Sequence, residues 1–341
     1  MSAGAARRAA QAGDGLRVLT VTNRWPSPTH HGGIFVKHLV EALRRQGHTV
    51  DVELVAQGRG KLDYALAAPR VRAAVRAAGY DVVHVHYGLS APAAALVTDL
   101  PRVVSLYGSD INVWWQRWIT KLSTRGFAAA IYVSRRLAAT AGDSGGIVIP
   151  NGVDFGQFVP GDRGAVRAAL GIRPDDRAVL FGASPSRAVK GWDLFGAVVD
   201  ELKSRGMRAV PMVLSEPGQP TSGVVAKLDA ADLLLFTSRR GSEGSPTVVK
   251  EAVAMGLPIV SVDVGDVAEL LSDVEPSAVV PFPERKDESA ARRELVNRLA
   301  EEAVSVLRKQ SRANGRQTCA RLDLDAVAVR VVAVYRDVLR Q

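Results

Sequence analysis

Glu243 and Glu251, with seven residues between them, are the residues of this 341-residue chain whose types and spacing point most directly to chemistry. Glu243 sits in the segment Ser242-Glu243-Gly244-Ser245-Pro246, and Glu251 in the helix predicted over 247–254, which opens at Thr247. Gly244 lets the backbone approach a ligand closely, and Pro246 suits the start of a helix, where a missing N–H costs nothing. The free N–H groups of that turn, backed by the helix dipole, form an anion site suited to a diphosphate. Glu251, in the first turns of the helix, can accept both hydroxyls of a ribose, as an acidic residue does in dinucleotide folds. Glu243 can reach a sugar hydroxyl. The plainer reading is a capped helix with two solvated glutamates.

His84 and His86 alternate along a predicted strand and so point to one face. With no third ligand nearby, no metal is expected there. His86 falls nearer the reacting end of the strand and His84 in the core. Asp110 follows a glycine at a strand end, where it can orient Tyr107, meet an acceptor or cap a helix. The segment VWWQRWITKLSTR over 113–125 interleaves Trp114, Trp115 and Trp118 with Arg117, Lys121 and Arg125. It fits an interfacial helix on an anionic membrane, an aromatic wall of an acceptor pocket, or a buried helix with basic ends.

These residues need a scaffold that gathers loops. From residue 16, short apolar runs alternate with helical periods, the signature of βαβ units around a parallel sheet. Strands are predicted over 16–22, 49–55, 81–86, 102–106, 129–133 and 147–149. Helices are predicted over 35–46, 64–78, 92–98, 113–122 and from Ser134. The segment PNGVDFGQFVPGD over 150–162 reads as a hinge. The alternation then restarts, with strands over 178–181, 209–214, 232–236, 258–262 and 278–280 and helices over 192–203, 247–254 and 267–271. The charged stretch 284–312 reads as a long solvated helix, and 326–339 as a last apolar one. The fold class is therefore α/β, two Rossmann-like domains in tandem. Open parallel sheets bind ligands beyond the carboxyl ends of their strands, so loops after strands carry the candidates.

Composition narrows the classes. At 47% hydrophobic and 23% charged the chain is an ordinary core former, and no apolar run approaches the roughly 18 residues of a membrane-spanning helix. A single cysteine, Cys319, excludes an intrachain disulfide framework and any multi-cysteine metal site. The leading residues 1–15, with Arg7 and Arg8 among Ala and Gly, read as a disordered tail without a secretory apolar stretch. The net charge of +9 lies wholly in residues 1–150, which hold 18 basic and 9 acidic side chains, against 26 of each in 151–341. The first half thus meets something negative: a membrane surface, an anionic small molecule or nucleic acid. Nucleic acid is the poorest of these, since nothing else resembles a binding module.

The context SRRGSEGSPTVVKEAVAMGLPIVSVDVGDVAELL resembles the signature of the GT4 family of retaining, nucleotide-sugar-dependent glycosyltransferases with the GT-B fold. Other landmarks of that family occur in order: HHGGIFVKHLVEALRRQGHTVDV, DVVHVHYG, SLYGSD, VIPNGVD and VLFGASPSRAVKGWD. The resemblance implies two domains facing each other across a cleft, an acceptor-side domain over 16–155 and a nucleotide-sugar-binding domain over 156–320. The segment 321–341 would return to the first domain. It further implies that Gly32 and Gly33 close over the donor phosphates, that Lys190 binds the diphosphate, that Glu243 lies at the reacting sugar, and that Gly244, Ser245, Pro246 and Thr247 hold sugar and phosphate. Glu251 would then bind the ribose. The chain departs from the family at three points. Ala183 follows Gly182 where an arginine is usual, so Arg187 supplies the guanidinium or is a solvated surface arginine. Tyr107 in Tyr107-Gly108-Ser109-Asp110 replaces the common histidine near the donor sugar. The stretch 214–228, near which the base commonly lies, is short.

The activity this implies is transfer of a sugar from a UDP-, GDP-, ADP- or dTDP-linked donor to an acceptor hydroxyl with retention of configuration, without metal or cofactor. The residues expected at the reaction are Glu243, Lys190, Arg187 and His86, with Tyr107 on the donor and Asp110 and Trp114 on the acceptor side. The acceptor is expected to be anionic or lipid-linked, with peripheral contact to an anionic membrane at the cytoplasmic face. Ala- and Arg-rich usage fits a high-GC bacterial genome, and with it glycan, glycolipid or secondary-metabolite synthesis. A catalytically silent sugar-nucleotide-binding or membrane-associated scaffold and a nucleotide-sugar epimerase are the alternatives.

Overall fold

The structure is a computed structural model that describes residues 15–27, 32–55, 60, 62–214, 220–284 and 286–341. The tail expected over 1–15 lies outside them except for Gly15, as do residues 215–219 of the short 214–228 stretch. The chain forms two compact units, Met1–Gly152 with Leu324–Gln341, and Val153–Asp323.

In the first unit, β1 (Arg17–Thr22), α1 (Ile34–Arg45), β2 (Thr49–Leu54), α2 (Leu62–Ala78) and β3 (Val82–His86) are followed by a 3-10 helix at Gly88–Ala94. Then come β4 (Arg102–Leu106), α3 (Ser109–Asn112), α4 (Trp114–Ser123), β5 (Ala129–Tyr132), α5 (Arg135–Ala141) and β6 (Ile147–Val148). The six strands are parallel in the order β2-β1-β3-β4-β5-β6. Thr22 pairs with His86 and His86 with Ser105, which aligns the carboxyl ends of β1, β3 and β4.

Because strand side chains alternate, both sheet faces must be covered. Leu19, Val21, Val83 and Val85 bury one face against α2, the 3-10 helix and α5. Val18, Val50, Val82 and Val103 bury the other against α1 and the closing helix Leu324–Arg340. Each such side chain contributes on the order of 1.5–3 kcal/mol. The helix predicted over 92–98 is instead the 3-10 segment Gly88–Ala94. The chain turns directly at the strand end, where Tyr87 has φ 68° and accepts from Ser90 N, and Pro92 has no N–H for an α-helical ladder.

The second unit contains α6 (Arg163–Ala169), β7 (Arg177–Phe181), α7 (Trp192–Ser204), β8 (Ala209–Val213), α8 (Thr221–Ala230) and β9 (Leu233–Phe236). It continues with α9 (Thr247–Ala254), β10 (Ile259–Val262), α10 (Val267–Leu270), β11 (Ser277–Val280) and α11 (Glu288–Arg308). Its parallel sheet has the order β11-β10-β9-β7-β8. The unit begins at Val153 and ends at Asp323, where the sequence expectation was 156 and 320. Val153 N donates to Leu322 O at 3.0 Å, and Phe155 and Phe158 bury in this unit's core. The stretch 284–312 was expected to be a long solvated helix. Within it α11 instead buries Leu295, Leu299, Ala303 and Val306 in the core and keeps its charges outside. Among the described residues no helix is long and apolar enough to cross a membrane.

In each sheet the strand order reverses between the first and third strands. A doubly wound sheet opens its ligand crevice at the carboxyl ends of those two strands.

Candidate active site

In the second unit the reversal falls between β7 and β9. After β7, Gly182 passes under α9, where an added Cβ would stand 3.0 Å from Val248. The chain then turns through Ala188–Lys190 and enters α7 at Gly191, whose φ is +71° and whose Cβ would stand 2.1 Å from Thr237 O. Only glycine permits that approach. Thr237, just past β9, donates from Oγ1 to Gly191 O at 3.0 Å and to Lys190 O at 3.2 Å. The two loops are thereby tied together. On this base Lys190 Nζ lies 2.6 Å from Glu243 Oε1, which also accepts from Ser238 Oγ at 2.7 Å. The lysine and glutamate side chains are 15% and 11% exposed, so their charges meet with little screening.

Beside the pair, Pro246 caps α9 without a side-chain bond, which leaves the first-turn N–H groups to serve an anion. The loop Gly244-Ser245 is fixed from β10. Gly265, with φ +58°, packs where a Cβ would stand 2.7 Å from Gly244 O, and Ser245 Oγ donates to Asp266 Oδ2 at 2.5 Å. Asp266 is buried, its Oδ1 has no partner, and burial pushes its carboxyl up to about 6. Lys250, fully buried on α9, is pushed down to about 8 by burial, against the pull of Asp266 and Glu251. Burial likewise pushes Glu251 up to about 7, with Lys250 opposing. The Glu251 carboxylate makes no hydrogen bond among the described residues and is partly exposed. Arg187 is exposed, and its guanidinium has no partner among the described residues.

In the first unit the reversal falls between β1 and β3. Gly33, with φ +83°, starts α1 so close to the loop after β1 that an added Cβ would stand 2.3 Å from Arg24 O. Gly32 lies in the same turn. Phe35 packs on Tyr107 with ring centroids 4.7 Å apart, and Tyr87 on Tyr107 at 4.8 Å. Tyr107 Oη meets His86 Nδ1 at 2.5 Å.

Three expectations change here. His86 was placed at the reaction but is wholly buried, with Nε2 unpartnered, and burial and then His84 hold its imidazole well below the ordinary value. Its Nδ1 meets the partly exposed Tyr107. Asp110 was placed on the acceptor side, yet it is 1% exposed and accepts from the backbone N–H of Gly108, Tyr107 and Gly88 at 2.8, 3.1 and 3.3 Å. It therefore fixes the loops after β3 and β4 instead of touching a ligand. The third concerns the helix over 113–125, for which burial was one reading: Trp114 is 79% and Trp118 66% exposed. His84 sits in the core, between Tyr335 Oη at 2.6 Å and Ser105 Oγ at 2.8 Å.

Two family profiles match the chain, Glycosyltransferase Family 4 over residues 32–157 and Glycosyl transferases group 1 over residues 218–300. Both profiles are of glycosyltransferases, and the first half resembles those of family 4. Among its relatives is a Bacillus subtilis protein named as a teichuronic acid biosynthesis glycosyltransferase, TuaC, 29% identical over 56% of this chain and 55% of that one. Another is a D-inositol 3-phosphate glycosyltransferase of Segniliparus rotundus, 31% identical over 57% of this chain and 47% of that one. The chain spans about half the length of the curated relatives it matches. Similar structures include sucrose-phosphate synthase from Thermosynechococcus elongatus, with a TM-score of 0.71 at 16% identity over 95% of this chain and 99% of that one. Anabaena HepE in complex with UDP-glucose gives 0.65 at 17% over 94% and 100%. These likenesses establish two Rossmann-like domains of GT-B type.

Several residues of the candidate site escaped the sequence reading. Ser238 and Thr237 are ordinary hydroxyls in a turn, and only their contacts to Glu243 and Gly191 give them a role. Lys250 and Asp266 left a weak trace, a lysine at an otherwise apolar helix position and an aspartate just past a glycine after a strand.

Proposed function

We propose that this protein transfers a sugar from a nucleoside diphosphate sugar to an acceptor hydroxyl with retention at the anomeric carbon. The observation that carries the reading is the Lys190–Glu243 pair at the β7/β9 reversal, beside the open first turn of α9. The diphosphate lies against that turn and Gly244 and Ser245, with Lys190 and Arg187 as its cations. The ribose hydroxyls bind Glu251, and Glu243 binds the reacting sugar. That HepE was crystallised with UDP-glucose supports a nucleotide-sugar donor on this fold.

As the bond from the anomeric carbon to the phosphate oxygen breaks, negative charge grows on the diphosphate. Lys190 and the helix N–H groups are already in place to meet it, which is where such sites gain most of their rate. The acceptor oxygen bonds to the anomeric carbon from the departing side and gives its proton to the leaving phosphate oxygen. Lys190 must leave Glu243 to reach the phosphate, which frees Glu243 for a sugar hydroxyl. No residue is needed as a nucleophile, and positioning supplies the remainder.

For the acceptor we propose an anionic, hydroxyl-bearing molecule. The whole surplus of nine positive charges falls in residues 1–150, away from the half that holds the donor. The names of the relatives, D-inositol 3-phosphate and teichuronic acid, accord with a negative acceptor or product. A thermal-shift panel of UDP-, GDP-, ADP- and dTDP-sugars tests the donor, since the matching one raises stability by mass action. With that donor, Glu243→Ala should abolish transfer and keep nucleotide binding. A wild-type protein that binds a donor but turns over none with any hydroxyl acceptor would refute the enzyme reading in favour of a silent scaffold.

A further inference from the structure

The outer face of α4 carries an apolar row that nothing in the proposed transfer uses. Trp114, Trp118 and Leu122 follow one another at four-residue steps and are 79%, 66% and 48% exposed. Residues at that spacing share one side of a helix. Indoles are costly to leave in water, and two in line on a surface mark a contact. Lys121 and Arg125 are exposed on the adjoining turns. From Ile111 to Gly142 the sequence holds Arg117, Lys121, Arg125, Arg135 and Arg136 and no acidic residue. Arg135 and Arg136 are exposed at the start of α5, which lies beside α4: Arg117 Nη1 reaches Thr140 O at 3.5 Å.

The inner face of α4 is anchored. Thr120 is buried, donates to Asp110 O at 3.2 Å and fills the space over Gly88, and Arg117 Nε donates to Ile111 O at 2.7 Å. The two tryptophans therefore stand on a fixed platform, and little ordering is left to oppose docking.

We propose that α4 docks this protein on an anionic lipid bilayer, with Trp114, Trp118 and Leu122 at the boundary between headgroups and acyl chains and Lys121 and Arg125 on anionic headgroups. Indole at that depth beside cationic side chains is the pattern of an interfacial helix. Charge favours the anionic bilayer, because Lys121, Arg125, Arg135 and Arg136 are exposed on these turns against the exposed carboxylate of Asp143. A sugar-stacking pocket would set the indoles into a concave wall, whereas here they project. The inference uses no donor-site residue, so it and the proposed transfer fail separately.

The test is flotation with phosphatidylcholine vesicles that contain about 30% phosphatidylglycerol or none, at low salt and at about 0.5 M salt. The protein should float with the anionic vesicles at low salt, and its apparent affinity should fall at least about tenfold in high salt or without the anionic lipid. W114S/W118S and K121Q/R125Q should each cost at least about tenfold. Their melting temperatures should not move, because all four side chains are exposed. Bromine-labelled acyl chains should quench the fluorescence of wild type and leave that of W114S/W118S little changed. Absence of flotation at low salt would overturn the proposal, as would equal binding by W114S/W118S. A concentration-dependent dimer abolished by the same substitutions would overturn it too, by assigning the face to a second copy of the chain.

Discussion

Replacing Lys190 by alanine separates a catalytic cation from a structural strut. Lys190 Nζ lies 2.6 Å from Glu243 Oε1, and both side chains are largely buried. Cutting a fully buried pair costs about 3–5 kcal/mol because the remaining charge is stranded. Here Glu243 keeps the Ser238 hydroxyl at 2.7 Å and some solvent, so the loss should be about 1–2 kcal/mol, seen as a fall of roughly 2–8 °C in melting temperature. The functional loss should be larger. A cation about 4 Å from a phosphate charge is worth about 4 kcal/mol at an effective dielectric constant near 20. Removing one preorganised group of this kind costs about 100- to 1000-fold in kcat. Turnover with the matched donor and calorimetric titration of its nucleoside diphosphate would be measured for wild type, Lys190→Ala and Lys190→Arg. Lys190→Ala should lose both turnover and affinity, and Lys190→Arg should recover part of each. If Lys190→Ala melts earlier while turnover and affinity stay within about threefold, the lysine is a strut and the reasoning fails.

Two further outcomes follow from the same geometry. Burial places Glu251 near 7 and a ribose needs it ionised, so nucleotide affinity should rise about tenfold from pH 6 to pH 8; Glu251→Gln should flatten that profile, whereas an equally steep profile in the variant would assign it elsewhere, with Asp266 and Lys250 the nearest titrating groups. Asp110→Ala strands the N–H groups of Tyr107, Gly108 and Gly88 and should cost about 2–4 kcal/mol in urea unfolding; a loss below about 1 kcal/mol would show that the loops hold without it.

The strands were legible wherever the apolar run was continuous, as in LLLF of β9 and AVLF of β7, because strands buried on both faces leave no polar alternation to misread. α6 and α8 were not read. α6 is held by Arg167, whose guanidinium reaches Ala230 O and Asp176 O, contacts that leave no periodic mark. The aspartate–serine bond that fixes Ser245 spans 21 residues, and Asp110 owes its role partly to a backbone N–H 22 residues away. Spacing along the chain cannot disclose such partners. The tryptophan helix shows the limit from the other side: its pattern announced two faces, and only the packing of Thr120 and Arg117 reveals which of them was left bare.

The closing helix also bears on how the protein is made. The apolar sheet face formed by Val18, Val50, Val82 and Val103 is sealed by Leu324–Arg340, yet residues 153–323 must be synthesised first. At about 5–20 residues per second that interval is roughly 10–30 s, during which a nascent chain carries an open hydrophobic sheet. The second unit has no such wait, since its ends meet in the Val153–Asp323 bridge and its core draws on no later segment. The ribosome thus delivers a finished second unit ahead of a first unit that still needs its lid, and the uncovered face is a natural client for a chaperone.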